Sequence, residues 1–72
     1  MQAVVYIGHR LKDLRVQRAL TQEELAEKAG IGKNTVNRME RNLTEPHMST
    51  LRKLAGALGV DPAELVNEGG GG

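Results

Sequence analysis

The amino-acid pattern predicts an all-α fold, a compact bundle of five short helices in which the second and third form a helix-turn-helix. Three observations carry this. Strand signals are nearly absent, apolar residues recur at helical spacing, and Gly30, Gly32, Asn42, Pro46, Gly59 and Pro62 cut the chain into short pieces. Seventy-two residues without cysteine, tryptophan or phenylalanine make one small domain whose core is aliphatic. A chain of this size buries only about 60% of its unfolded surface, so its stability rests on tight helix packing or on a partner copy.

Each element has a local cause. Ile7, Leu11, Leu14 and the Ala19-Leu20 pair recur at helical spacing and predict a first helix over residues 8–18. Thr21-Gln22-Glu23-Glu24 has the form of a capping box, in which a threonine hydroxyl and a glutamate carboxylate satisfy opposite orphan amides, and it starts a second helix reaching Ala29. Gly30-Ile31-Gly32 interrupts, and Val36 and Met39 mark a third helix over 33–41, closed by Asn42, a residue tolerant of the left-handed conformation. After the Pro46 loop, Ser49 is the expected cap of a fourth helix carrying Leu51, Leu54, Ala55 and Leu58, which Gly59 ends. Asp61, Pro62 and Glu64 then supply the N-cap, the first position and the capping-box acid of a fifth helix ending near Asn67.

Two segments fall outside the bundle expected over residues 8–68. Residues 69–72 are four glycines, expected to be a flexible tail. Residues 1–7 are an apolar, β-branched lead-in that would fray, pack against the first helix, or pair as a strand with a second copy. The longest apolar run is far shorter than the roughly 20 residues that span a bilayer, and no basic region precedes it. A soluble, cytoplasmic protein is expected.

The net charge is only +1, but it is unevenly spread. Up to Asn42 eight basic residues oppose five acidic ones; from Leu43 onward two oppose four. A basic face on the first part could meet a polyanion despite the near-neutral total, whereas the counts alone favour a mixed, solvated surface.

The spacing of the second and third helices, with about three residues between them, is that of a helix-turn-helix. Leu25, Ala26 and Ala29 should face inward to meet Ile31, Val36 and Met39, and Ala26 is small enough for the helices to cross closely. Lys33, Asn34, Asn37 and Arg38, with Thr35 beside them, are then left on the outside. A helix lying in the DNA major groove offers its N-terminal side chains to base edges, where lysine and arginine suit guanine and asparagine suits adenine.

The string Leu20-Thr21-Gln22-Glu23-Glu24-Leu25-Ala26-Glu27-Lys28-Ala29-Gly30, followed by Thr35-Val36-Asn37-Arg38-Met39-Glu40-Arg41, resembles the Cro/repressor-type (Xre) helix-turn-helix family. The likeness runs over about residues 8–66 and includes Arg10-Leu11-Lys12-Asp13-Leu14-Arg15 and Leu54-Ala55-Gly56-Ala57-Leu58-Gly59-Val60. It implies a lambda-repressor-like fold and a transcriptional regulator, here a repressor, that binds double-stranded DNA at a palindromic operator as a homodimer. By the same resemblance Lys33, Asn34 and Arg38 match base-contacting positions, with Asn37 able to join them. Gln22, Thr35, Arg41, Asn42 and Thr44 match backbone-contacting ones, and Arg15 and Glu40 match a partly buried structural ion pair. Two positions depart from the family pattern: Asn42 replaces the usual glycine, and Gly32 replaces a serine or threonine whose hydroxyl contact is therefore lost.

No enzyme is expected, because no acid, base or nucleophile cluster is present, and no cofactor is implied. His9 and His47 are far apart, with no acidic or cysteine partner at ligand spacing, so no metal site is expected. Glu23, Glu24 and Glu27 read as favourable charges at a helix start and along its solvated face. The rival to a DNA-binding regulator is a protein-interaction module on the same scaffold, antitoxin-like or coactivator-like, which would lack the steep salt dependence of DNA binding.

Overall fold

The structure is a computed structural model that describes residues 6–66. Five helices follow one another: α1 (Gly8–Gln17), α2 (Gln22–Ala29), α3 (Lys33–Glu40), α4 (Met48–Leu58) and α5 (Pro62–Val66), with no strand among the described residues. The expected behaviour of residues 1–5, the helix end at Asn67 and the glycine tail lie outside those residues.

The caps at Thr21, Gly30 and Gly59 form as the sequence predicts. Thr21 Oγ1 accepts from the Glu24 amide at 3.0 Å while Glu24 Oε1 accepts from the Thr21 amide at 2.8 Å. Gly30 and Gly59, both at φ 73°, turn the chain out of α2 and α4, and Ile31 and Val60 reach back to the carbonyls of Ala26 and Ala55.

Three other ends differ. The first helix stops at Gln17, because the Leu20 amide returns to the Arg15 carbonyl and Ala19 takes the left-handed conformation at φ 57°. Leu20 is thus half-buried from a turn instead of extending the helix. His47, not Ser49, is the N-cap of α4: the Leu51 amide bonds to the His47 carbonyl at 2.9 Å, placing Ser49 inside the first turn. At α5, Asp61 Oδ1 accepts from the Ala63 amide at 2.9 Å, but Glu64 does not complete the box. Its carboxylate lies 3.7 Å from Arg10, whose Nε also donates to the Glu64 carbonyl.

The five helices enclose one aliphatic core. Leu11 from α1, Leu25 from α2, Val36 from α3, Leu54 from α4 and Leu65 from α5 are all fully buried, and Ile7 joins them from just ahead of α1. Ala26 and Ala29 of α2 are buried against Val36 and Met39 of α3, with Ile31 half-buried in the turn, so the helix-turn-helix packs through the residues that its pattern indicated. In turn α2 lies against α4, α4 against α5, and α1 against both α3 and α5.

One close approach ties the start of α1 to the end of α3. The Gly8 amide donates to Asn42 Oδ1 at 3.0 Å, and Asn42 reaches it from a left-handed conformation at φ 58°. A Cβ on Gly8 would lie 2.5 Å from both Asn42 Oδ1 and the Glu40 carbonyl. Gly56, by contrast, sits exposed in α4 with open space where a Cβ would go. Urea denaturation should therefore separate two identical substitutions: Gly8→Ala lowers stability by about 1–3 kcal/mol through overpacking, and Gly56→Ala raises it by about 0.5–1 kcal/mol through helix propensity.

Candidate nucleic-acid interface

The outer face of α3 is built by subtraction. Val36 and Met39 are buried, which turns Lys33, Asn34 and Arg38 to solvent, with Arg41 following at the C-cap. None of these four side chains has a hydrogen bond or ion pair to another described residue. Thr35 and Thr44 are half-buried at either end of the same region, and Gly32 caps α3 without a side chain.

The three arginines of the first helix and its C-cap are used differently. Arg10 reaches α5 through Glu64, and Arg18 donates to the Leu58 carbonyl at the end of α4 and to the Leu14 carbonyl of its own helix. A cation at those terminal carbonyls is well placed, because they carry the negative end of the helix dipole. Neither tie was visible in the sequence, since each partner is a residue type found everywhere and lies 54 or 40 positions away. These ties fix where the two guanidinium groups sit, and Arg18, whose partners are both carbonyls, keeps its positive charge.

Arg15 and Glu40 come together as expected. Arg15 Nε donates to Glu40 Oε2 at 2.6 Å and its second terminal nitrogen to Oε1 at 3.0 Å, while the first caps the Leu20 carbonyl at 2.7 Å. The side chains are 12% and 4% exposed, so this is a fork-to-fork pair largely withdrawn from water. The hydrogen bond to Glu40 raises the Arg15 pKa above its ordinary value, burial works against it, and the Glu40 charge adds a smaller upward push.

The pair extends into the helix-turn-helix. Gln22, the first residue of α2, donates from Nε2 to Glu40 Oε1 at 3.1 Å and accepts at Oε1 from Asn37 Nδ2 at 3.2 Å. Gln22 and Asn37 are both half-buried, and Asn42 has its Oδ1 on the Gly8 amide. Three of the residues that the family resemblance assigns to DNA are thus engaged within the fold, each retaining part of its hydrogen-bonding capacity. Lys33, Asn34, Arg38 and Arg41 are uncommitted among the described residues.

His9 Nε2 lies 3.8 Å from Asp13 Oδ2 one turn along α1, so His9 does have an acidic neighbour, contrary to expectation. Both side chains are well exposed, and no group of three or more histidine, aspartate or glutamate side chains gathers among the described residues. No described helix is long and apolar enough to cross a membrane. Truncating Arg15 strands the Glu40 carboxylate, so Arg15→Ala should cost about 3–5 kcal/mol in chemical denaturation. A midpoint equal to the parent's would refute the buried pairing.

Comparison with known proteins agrees with this geometry. The Helix-turn-helix family profile matches residues 11–65. The immunity repressor protein of Bacillus phage phi105 is 42% identical over 62 residues, covering 86% of this chain and 43% of the relative. The cryptic phage CTXphi transcriptional repressor RstR of Vibrio cholerae is 46% identical over 59 residues, covering 82% and 53%. The chain therefore spans about half the length of these curated relatives. Among solved structures, the master regulator for biofilm formation SinR in complex with DNA superposes with a TM-score of 0.79 at 40% identity, over 82% of this chain and 95% of that one. By profile, identity and fold, the chain belongs to the Cro/repressor-type (Xre) helix-turn-helix family of DNA-binding transcriptional regulators.

Proposed function

We propose that the chain is the sequence-specific DNA-binding domain of a transcriptional repressor, working in the cytoplasm on nucleoid DNA and occupying a palindromic operator as a homodimer. The observation that carries this is the exposed set Lys33, Asn34 and Arg38 on α3, uncommitted within the described fold. With α3 in the major groove, these side chains face base edges, and the half-buried Asn37 sits beside them. Gln22, Thr35, Arg41, Asn42 and Thr44 lie toward the sugar-phosphate backbone, where amides, hydroxyls and a guanidinium fix register without reading sequence. Gln22 and Asn42 would do so with the hydrogen-bonding capacity left over from their contacts to Glu40, Asn37 and Gly8.

Regulation needs no chemistry beyond occupancy, in keeping with relatives named as repressors. A twofold dimer would set two copies of α3 about 34–36 Å apart along the duplex, one helical turn, and so require inverted half-sites. Selection from a randomised duplex pool at moderate salt tests the whole scheme. An enriched inverted repeat is the expected outcome, and a folded protein that enriches nothing rejects it in favour of a protein-interaction module.

Two variants separate reading from holding. Arg38→Ala should relax discrimination at one base position by about 1–3 kcal/mol and leave the other positions unchanged. Arg41→Ala should weaken binding to every sequence alike and reduce the dependence of log affinity on log salt by about one unit. Fluorescence titration across single-base variants of the selected site and across salt concentrations measures both.

A further inference from the structure

The chain holds one tyrosine and neither phenylalanine nor tryptophan, and that tyrosine does not serve the core. Tyr6 stays outside the aliphatic cluster at 45% exposure, while the adjoining Ile7 is 1% exposed. Its hydroxyl has no hydrogen-bond partner among the described residues. A partly exposed ring with a phenol at its tip is amphipathic, and it suits a partner that is apolar in one part and an acceptor in another.

The neighbours of Tyr6 in the chain set its place. Ile7 is buried, and the Gly8 amide donates to Asn42 Oδ1 at 3.0 Å. Gly8 approaches the end of α3 so closely that a Cβ on it would lie 2.5 Å from the Glu40 carbonyl and 2.7 Å from that of Met39. Consecutive Cα atoms are about 3.8 Å apart, so the Tyr6 Cα lies within about 7.6 Å of the Gly8 Cα. Tyr6 is thereby held near the C-terminal end of α3. At that end Arg41 is exposed and unpaired among the described residues, and Asn42, whose Oδ1 meets Gly8, keeps both Nδ2 hydrogens unused among them. A cation, an amide donor and a phenol donor thus share one end of the molecule.

We infer that Tyr6 contacts the DNA backbone, its ring packing on a deoxyribose and its hydroxyl donating to a phosphate of the strand that Arg41 and Asn42 meet. A sugar-phosphate backbone offers that combination, an apolar sugar beside oxygens that only accept. Pairing Tyr6 with its own copy about a twofold axis would instead bring two Arg41 side chains toward each other. The contact carries no sequence information; it lengthens the protein's footprint on the backbone from the loop after α3 to the residues ahead of α1. Tyr6 precedes residues 11–65, which the family profile matches, so the shared pattern assigns it no role. This inference rests on the DNA-binding function proposed above and adds a backbone contact to it.

The test uses the site selected by the parent chain, with the fold of each variant checked by urea denaturation. Tyr6→Phe keeps the ring and removes only an exposed hydroxyl, so the fold is preserved. It should weaken binding to every sequence alike by about fivefold to tenfold. The dependence of log affinity on log salt should stay at the parent's value, because a neutral phenol displaces no counterion, which distinguishes Tyr6→Phe from Arg41→Ala. Replacing single phosphates of the duplex by neutral methylphosphonates locates the partner: at one phosphate the replacement should cost the parent more than it costs Tyr6→Phe. Fluorotyrosine incorporation gives a single fluorine resonance, since Tyr6 is the only tyrosine. That resonance should move when a duplex carrying one half-site is added, and should not move with protein concentration in its absence. Tyr6→Phe that binds like the parent, equal penalties in both proteins at every methylphosphonate, or a resonance that follows protein concentration and ignores the half-site duplex overturns the inference alone, the last result assigning Tyr6 to a contact between copies. A parent that enriches no sequence overturns the DNA-binding function and the inference with it.

Discussion

The Glu40 carboxylate is the point on which the helix-turn-helix depends. It is only 4% exposed, and a carboxylate withdrawn from water costs several kcal/mol unless its oxygens are met. Arg15 from α1 and Gln22 from α2 meet them, so a group on α3 is satisfied only when three helices are in register. The apolar contacts between α2 and α3 could not impose this alone. Ala26, Ala29, Val36 and Met39 present small or flexible surfaces, and apolar attraction has no direction. Each of the two helices is eight residues long, below the length at which an isolated helix is stable. Burial holds them together, and the buried charge decides how they are set.

A division of labour among the cations follows. Arg10, Arg15 and Arg18 fasten the first helix and its cap to α5, α3 and α4 in turn, each through a hydrogen bond that aims a guanidinium at a carbonyl or carboxylate. Lys33, Arg38 and Arg41 remain free on or beside α3 among the described residues. The arginines of the first helix and its cap thus act as fasteners, while three cations on or beside α3 stay unpaired among the described residues. A net charge of +1 hides this, because it counts a neutralised Arg15 and a free Arg38 alike.

How much could be read from the sequence depended on the distance over which each feature is decided. The Thr21–Glu24 box and the glycine exits at Gly30 and Gly59 involve residues within one turn of each other, and their places were legible. Glu64 was misread because a partner 54 residues away, Arg10, engages it, and Ala19 because its left-handed turn serves the return of Leu20 to Arg15. The α3 face divides in the same way. Lys33, Asn34 and Arg38 were legible as outward residues from the positions of Val36 and Met39 alone. Gln22, Asn37 and Asn42 were legible as polar and nearby, but their bonds span 18, 15 and 34 positions, and no local pattern encodes them.

The same network bears on what a polyanion would meet. Lysine and arginine side chains lose up to about 2 kcal/mol of rotamer freedom when fixed, so Lys33, Arg38 and Arg41 would give back part of their electrostatic gain on binding. Asn37 would not, because its tether to Gln22 has already ordered it within the free fold. Long, free cations on or beside α3 and a short, tethered amide would therefore contribute differently. On a polyanion the cations would supply attraction that salt screens, whereas a hydrogen bond made by the ordered amide would depend on salt much less. The Asn42–Gly8 bond extends that rigidity to the end of α3, where a glycine at position 42 would allow the same left-handed turn without the tie to α1.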